Sequence, residues 1–204
     1  PIPMKRTFVM RPDGVVRVTD AKGAPIAGAT VVLTRVRYPY HRRDADWTVA
    51  ADANGEARFA REEKTETVYP LMMHGVPQYA FEACAEAPGF AGTDAHWSVP
   101  ERGPFAPLAL RLPEGERPCG GTPELSPPPA GKARLLSRVR KGPGTWTLEL
   151  VLPKDEPVAV GAKVEGLAIV AIAWQSEAIG TFRRAIVEVR GEAEGLHVGD
   201  LLGR

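Results

Sequence analysis

The sequence predicts an all-β protein: an N-terminal Greek-key β-sandwich followed by a small duplicated C-terminal module resembling a β-barrel. Three observations predict it. Twenty-one glycines and 20 prolines make up about a fifth of the 204 residues, against a usual share of roughly 12 %. Interior glycine and proline cost a helix about 1 and 3 kcal/mol each, so the excess favours short strands joined by turns. Apolar residues alternate at period two in short runs bounded by turn residues, the pattern of half-buried strands. Beyond a proline-rich segment, the chain matches itself at a fixed offset.

The 44 % apolar and 25 % charged fractions are those of a folded chain. Twenty-six basic and 25 acidic residues leave a net charge of +1, so no bulk charge points to nucleic acid. No stretch approaches the ~18 apolar residues of a membrane span. The longest apolar run, Leu167 to Trp174, reads as a fully buried strand. Pro1 to Arg6 lacks the apolar core of a signal peptide, and a removed signal or lipid-anchor segment upstream of Pro1 is compatible with it.

Along the chain, Gly14 to Thr19 alternates as a strand, and Asp20-Ala21-Lys22-Gly23 supplies a turn. Ala24 to Gly28 is a short extended piece, and Ala29 to Val36 a second strong strand. Asp46 to Ala51 and Ala57 to Ala60 flank Asp52-Ala53-Asn54-Gly55, which reads as a tight hairpin with Asn-Gly at its centre. Gln78 to Ala85 sets Tyr79, Phe81, Ala83 and Ala85 on one face, and Leu108 to Leu112 is a last short strand. About seven short strands in some 110 residues describe a β-sandwich.

Residues 14–112 resemble the carboxypeptidase regulatory-like domain, a sandwich related to the transthyretin (prealbumin) fold. The matching elements are Gly14 to Asp20, Gly23 to Leu33 and Asp52 to Phe59, with Ala85 to Phe90 resembling the turn after a core strand. The resemblance implies an accessory, adhesive or folding module without catalytic residues. Related sandwiches include iron-dependent intradiol dioxygenases, for which Tyr38, Tyr69, His41 and His74 invite comparison, but the closely spaced His-x-His pair is missing. The Tyr-Arg-Gly-Ser ending of the transthyretin-like urate-pathway hydrolases is also missing, the chain here ending Leu201-Leu202-Gly203-Arg204.

Arg117 to Gly131 reads as a Pro/Gly-rich linker, giving expected boundaries of 5–116 for the sandwich, 117–131 for the linker and 132–204 for the second module. In that module Gly144 to Leu152 aligns with Gly180 to Glu188 at an offset of 36 residues. Val158-Ala159-Val160-Gly161 aligns with Leu196-His197-Val198-Gly199 at 38. Two halves that cannot close a core alone predict a pseudo-two-fold barrel-like unit. Its end, Ile186 to Asp200, faintly resembles barrel ends of envelope-machine proteins such as flagellar accessory proteins.

Cys84 sits in a predicted strand and Cys119 in the exit segment, 35 residues on. A Cys84–Cys119 disulfide avoids an exposed thiol at Cys119, would stabilise by about 3–4 kcal/mol in the chain-entropy estimate, and places the protein in an extracytoplasmic compartment. Tyr38, Tyr40, His41, Arg42, Arg43 and Trp47 form the stretch richest in chemistry, and with Trp97 they make a candidate ligand or partner surface, cationic and aromatic enough to grip an anion or a sugar. His41, Asp44 and Asp46 are weak candidates for a metal. Asp52 to Gly55, with Glu63 at the twelfth position, superficially resembles an EF-hand calcium loop but lacks flanking helices. Tyr69 to Pro77, with Met72 and Met73, reads as an adaptable core cover. There is no Gly-x-Ser-x-Gly elbow, phosphate loop or zinc-type spacing, and the expectation is no catalytic, cofactor or metal residue. The function expected is a non-enzymatic interaction protein of the bacterial cell envelope, periplasmic or tethered as a lipoprotein, with a protein partner recruited through strand edges. The alternatives are a carbohydrate-binding module using Trp47, Trp97 or Trp174, and an accessory component of a secretion or flagellar apparatus.

Overall fold

The structure is a computed structural model that describes residues 2–38, 42–69, 78–97, 105–120 and 126–204. It is all-β, and no helix occurs among the described residues. The chain divides into two compact units, residues 1–87 with 93–112, and residues 88–92 with 113–204.

The first unit is built from β1 (Met4–Arg11), β2 (Gly14–Asp20), β3 (Thr30–Tyr38), β4 (Arg42–Ala50), β5 (Glu56–Phe59), β6 (Glu62–Val68), β7 (Gln78–Ala87), β8 (Phe90–Trp97), whose first residues belong to the second unit, and β9 (Leu108–Leu112). They form a four-stranded sheet in the order β4-β3-β7-β8, a three-stranded sheet β5-β2-β9 with β2 and β9 parallel, and a separate antiparallel ribbon β1-β6. The period-two pattern sets the core face. Val16 and Val18 on β2, Val31 and Leu33 on β3, Phe81, Ala83 and Ala85 on β7, and Leu110 and Leu112 on β9 are buried.

Asp52 to Gly55 is a corner and not the centre of a hairpin, because β4 pairs with β3 while β5 pairs with β2 in the other sheet. Asp52 makes the corner: its Oδ1 accepts the backbone N–H of Asn54 at 2.8 Å and of Glu56 at 3.0 Å. Gly55, at φ 72°, brings its carbonyl to the Val18 N–H at 2.8 Å, and a Cβ there would stand 2.5 Å from the Val18 carbonyl oxygen. Glycine is required by both the sign of φ and the close approach. The EF-hand comparison fails with it, since the Asp52 carboxylate is spent on backbone and Glu63 pairs with Arg61 on the ribbon side.

The second unit contains β10 (Gly115–Glu116), β11 (Lys132–Gly142), β12 (Thr145–Pro153), β13 (Lys163–Val164), β14 (Leu167–Gln175), β15 (Phe182–Arg190) and β16 (Leu201–Gly203), all in one curled antiparallel sheet. The sandwich boundary expected at 116 moves to 112, because β10 pairs with β11. Gly115 makes that approach, at φ 146° with its Cβ position 2.1 Å from the Arg138 carbonyl oxygen.

The duplication is present in three dimensions. The hairpin β11-β12 matches the hairpin β14-β15, and the paired strands β12 and β15 stand at the centre. Each first strand carries two bulges against its partner, which curl the sheet. The equivalent turns make equivalent bonds. Gly161 N–H donates to the Ile169 carbonyl and Ile169 N–H to that of Ala162, while Gly199 N–H donates to Leu135 and Leu135 N–H to Asp200, all at 2.8–3.0 Å. The enclosed core is Trp146, Leu148, Leu150 and Leu152 facing Ala185, Val187 and Val189, joined by Ala133, Leu135 and Ile169. Leu167 to Trp174 is not a fully buried strand: Val170 and Trp174 are exposed, Trp174 at 47 %, because the bulges between Ile169 and Ala171 and between Ile172 and Trp174 break the alternation.

Cys84 and Cys119 are disulfide-bonded. No helix of the described residues is long and apolar enough to cross a membrane.

Candidate functional site

The core-facing row of the four-stranded sheet changes character along its length. On β3 it runs Val31, Leu33, then Arg35 and Arg37; on β7 it runs Ala85, Ala83, Phe81, then Tyr79. The polar end of this row, with the ribbon β1-β6, lines a cavity of about 530 Å³. Phe8 and Met10 come from β1, Arg35 and Arg37 from β3, Asp44 from β4, Tyr79 from β7, and Lys64, Glu66, Thr67, Val68 and Tyr69 from β6 and its exit.

Arg35 is the anchor, its side chain 9 % exposed. Its Nε and Nη2 donate to Oδ2 of Asp44 at 3.1 and 2.8 Å, and Nη1 donates to the Met10 carbonyl at 3.1 Å. The guanidinium lies over the rings of Tyr79 at 4.8 Å and Trp47 at 5.7 Å, each stabilising a cation through the ring quadrupole. Asp44 reaches Arg35 because β4 is irregular there: Arg35 pairs with Ala45 but Val36 with Arg43, leaving Asp44 as the extra residue. The bulge turns its carboxylate onto the buried cation.

The ribbon forms by charge matching rather than by apolar alternation. Arg6 stands opposite Glu66 and Arg11 opposite Glu62, while the Thr7 and Thr65 hydroxyls bond at 2.8 Å. Lys64 pairs with Glu66 at 2.7 Å, and that hydrogen bond raises the ammonium pKa above its ordinary value. Two of the three cavity cations are thus neutralised within the wall. Arg37 is not: among the described residues its guanidinium has no hydrogen-bond or ion-pair partner, and directly across the strand pair stands Arg42, also exposed and also unpaired. Like charges directly opposite destabilise a strand pair.

The expected surface is only partly assembled. Trp47 is half-buried under the guanidinium groups of Arg11 and Arg35, at 5.8 and 5.7 Å. Arg42 and Arg43, neighbours on a strand, face opposite sides. Arg42 shares the face of Arg37, whereas Arg43 donates to Thr34 Oγ1 at 2.9 Å and Asp46 Oδ1 at 3.3 Å. Tyr38 is exposed. Tyr40 and His41 lie outside the described residues, as do His74 and all of Tyr69 to Pro77 except Tyr69, which is exposed. Trp97 does not belong to the surface. It is 3 % exposed, packs edge-on against Phe59 and Phe105, and donates its indole N–H to the Ala106 carbonyl at 2.8 Å. It fills the sandwich end, so no pair of exposed Trp47 and Trp97 rings is offered to a sugar. Trp174, expected in the core, is instead exposed.

The residues that sequence reasoning missed are Phe8, Arg35, Arg37, Lys64 and Tyr79. The legible signal was the basic run Lys5-Arg6 with Arg11 against the acidic run Glu62-Glu63 with Glu66, which marks β1 and β6 as mutual partners. Among the described residues no group of three or more His, Cys, Asp or Glu side chains is arranged to hold a metal ion. No family model matches this chain, and neither the curated proteins nor the solved structures contain a significant match.

Proposed function

We propose that this protein is a non-enzymatic interaction protein of the bacterial cell envelope. Its N-terminal unit is read as a carboxypeptidase regulatory-like sandwich that receives a protein partner at the cavity between the β1-β6 ribbon and the polar end of β3 and β7. The observation that carries this reading is the cavity: its size falls in the range of binding sites, and its wall is aromatic and cationic with an uncommitted arginine. The Cys84–Cys119 disulfide supports an extracytoplasmic home, because such bonds persist in oxidising compartments.

The test is photo-cross-linking of the full chain in envelope extracts, with a benzophenone side chain at Tyr69, on the cavity rim, or at Arg58, exposed on β5. The reading predicts a discrete cross-linked polypeptide from position 69 and not from position 58. The same ladder from both positions, or no adduct from either, overturns it.

A further inference from the structure

Beyond binding at the cavity, the geometry points to the chemistry of what binds: we propose that the cavity receives an extended polypeptide segment added along the outer edge of β6, with a carboxylate of that segment on Arg37. This rests on reading the cavity as the binding site.

Three features of the wall specify the ligand. The first is backbone availability. A strand presents alternate residues to one face, and β1 does so, contributing Phe8 and Met10. β6 contributes the alternating row Lys64, Glu66 and Val68 and, besides it, Thr67 from the other row with Tyr69 just beyond the strand, so the cavity extends past one side-chain row toward the strand's edge. Among the described residues the ribbon is two-stranded, β6 pairing with β1 alone, which leaves one row of its N–H and C=O groups without a partner among them. An extended chain satisfies such a row by strand addition.

The second feature is charge. Asp44 and Glu66 hold Arg35 and Lys64, while Arg37 has no ion-pair or hydrogen-bond partner among the described residues and stands beside its cross-strand neighbour Arg42. A carboxylate between these two guanidinium groups relieves the like-charge pairing and makes charge-assisted hydrogen bonds to a planar fork donor. The two wall carboxylates oppose a dianion, so a carboxylate is favoured over a phosphate. The third feature is the apolar floor: Phe8 and Tyr79 meet edge to face at 5.5 Å, a surface suited to an apolar side chain next to the acid. The segment is therefore extended, with one acidic residue flanked by apolar ones.

The test uses the full chain and a seven-residue blocked peptide alternating valine and threonine with one central glutamate, beside its glutamine counterpart and free 3-phenylpropionate. Binding is followed by calorimetry, and strand addition by amide hydrogen exchange. The proposal predicts that the glutamate peptide binds at least ten-fold tighter than the glutamine peptide, that Arg37→Gln removes the difference while Arg37→Lys keeps part of it, and that amides in Glu66 to Tyr69 become protected. Arg37 is exposed, and a melting temperature no lower than that of the wild type shows the variants folded. Equal affinity for the two peptides, no affinity at millimolar concentration, binding without protection of residues 66–69, or 3-phenylpropionate binding as tightly as the peptide each overturns it. A position-69 cross-link with no peptide discrimination would leave the protein-binding reading standing and remove only this one.

Discussion

The two units treat their apolar rows in opposite ways. In the second unit the central strand β12 is apolar on one face from end to end, Trp146, Leu148, Leu150 and Leu152, and its duplicate β15 answers with Val189, Val187 and Ala185. Every position is filled, and the result is a closed core. In the first unit the matching row on β3 begins with Val31 and Leu33 and then turns to Arg35 and Arg37. The apolar half is covered by a sheet, the polar half, among the described residues, by a ribbon held through charge pairs, and a cavity opens there. An uninterrupted row gives packing; an interrupted one leaves space that charges must keep open.

Deleting core volume is the largest perturbation and the one on which the two units agree. Phe81→Ala in the first and Leu148→Ala in the second, both fully buried, are expected to cost about 3–5 and about 2–5 kcal/mol respectively, read from denaturant unfolding. A cost below about 1 kcal/mol in either would mean that its row is not a packed core. Next, replacing both Cys84 and Cys119 with serine is expected to lower stability by about 3–4 kcal/mol, the loop-closure entropy returned to the unfolded chain. The same shift should follow reduction of the wild type and should vanish in the double variant.

The contrast itself is sharpened at Asp44. Asp44→Ala strands the Arg35 charge against two rings and should cost about 1–3 kcal/mol, discounted from a fully buried pair because Asp44 is about one-third exposed. Replacing Arg35 and Asp44 together by methionine and leucine converts the polar half of the row to the kind found on β12. That double change is expected to recover the loss while abolishing ligand binding at the cavity. Recovery of stability with binding intact would break the comparison.

The smallest effect belongs to the corner. Asp52 has a lowered pKa, first through the N–H of Glu56 and then that of Asn54. A depressed carboxyl pKa stabilises the fold above the ordinary aspartate value of about 4 and loses that contribution as the pH falls through the folded-state value. The thermal melt of Asp52→Ala should therefore fall below wild type at neutral pH and converge with it toward pH 2. A gap that persists unchanged in acid would assign the effect to something other than the ionised carboxylate.

Much of the architecture was legible. Gly14 to Thr19, Ala29 to Val36 and Leu108 to Leu112 announce strands because each has one face to bury and alternates accordingly. The repeat was visible because both halves keep the same strand-turn register. Other elements were not. Glu62 to Val68 carries almost no apolar residue and is a strand only because Met4 to Arg11 pairs with it. Leu167 to Trp174 looked buried throughout because a run of apolar residues does not reveal bulges. Of the candidate site, the Arg42-Trp47 neighbourhood was legible as a concentration of cations and aromatics, but its grouping was not: strand geometry splits Arg42 from Arg43, and Trp97 packs inward.

By itself, then, the sequence determined the all-β class, the positions of the turns though not that Asp52 to Gly55 joins two sheets, the duplication and the pairing of the only two cysteines, because each follows from local periodicity, local backbone requirements or simple count. Tertiary structure alone decided which face of a strand became a core and which became a cavity wall. That choice depends on what covers a row, and the partner of β3's polar half, a charged ribbon from both ends of a 65-residue span of chain, is a non-local fact that no window of sequence contains.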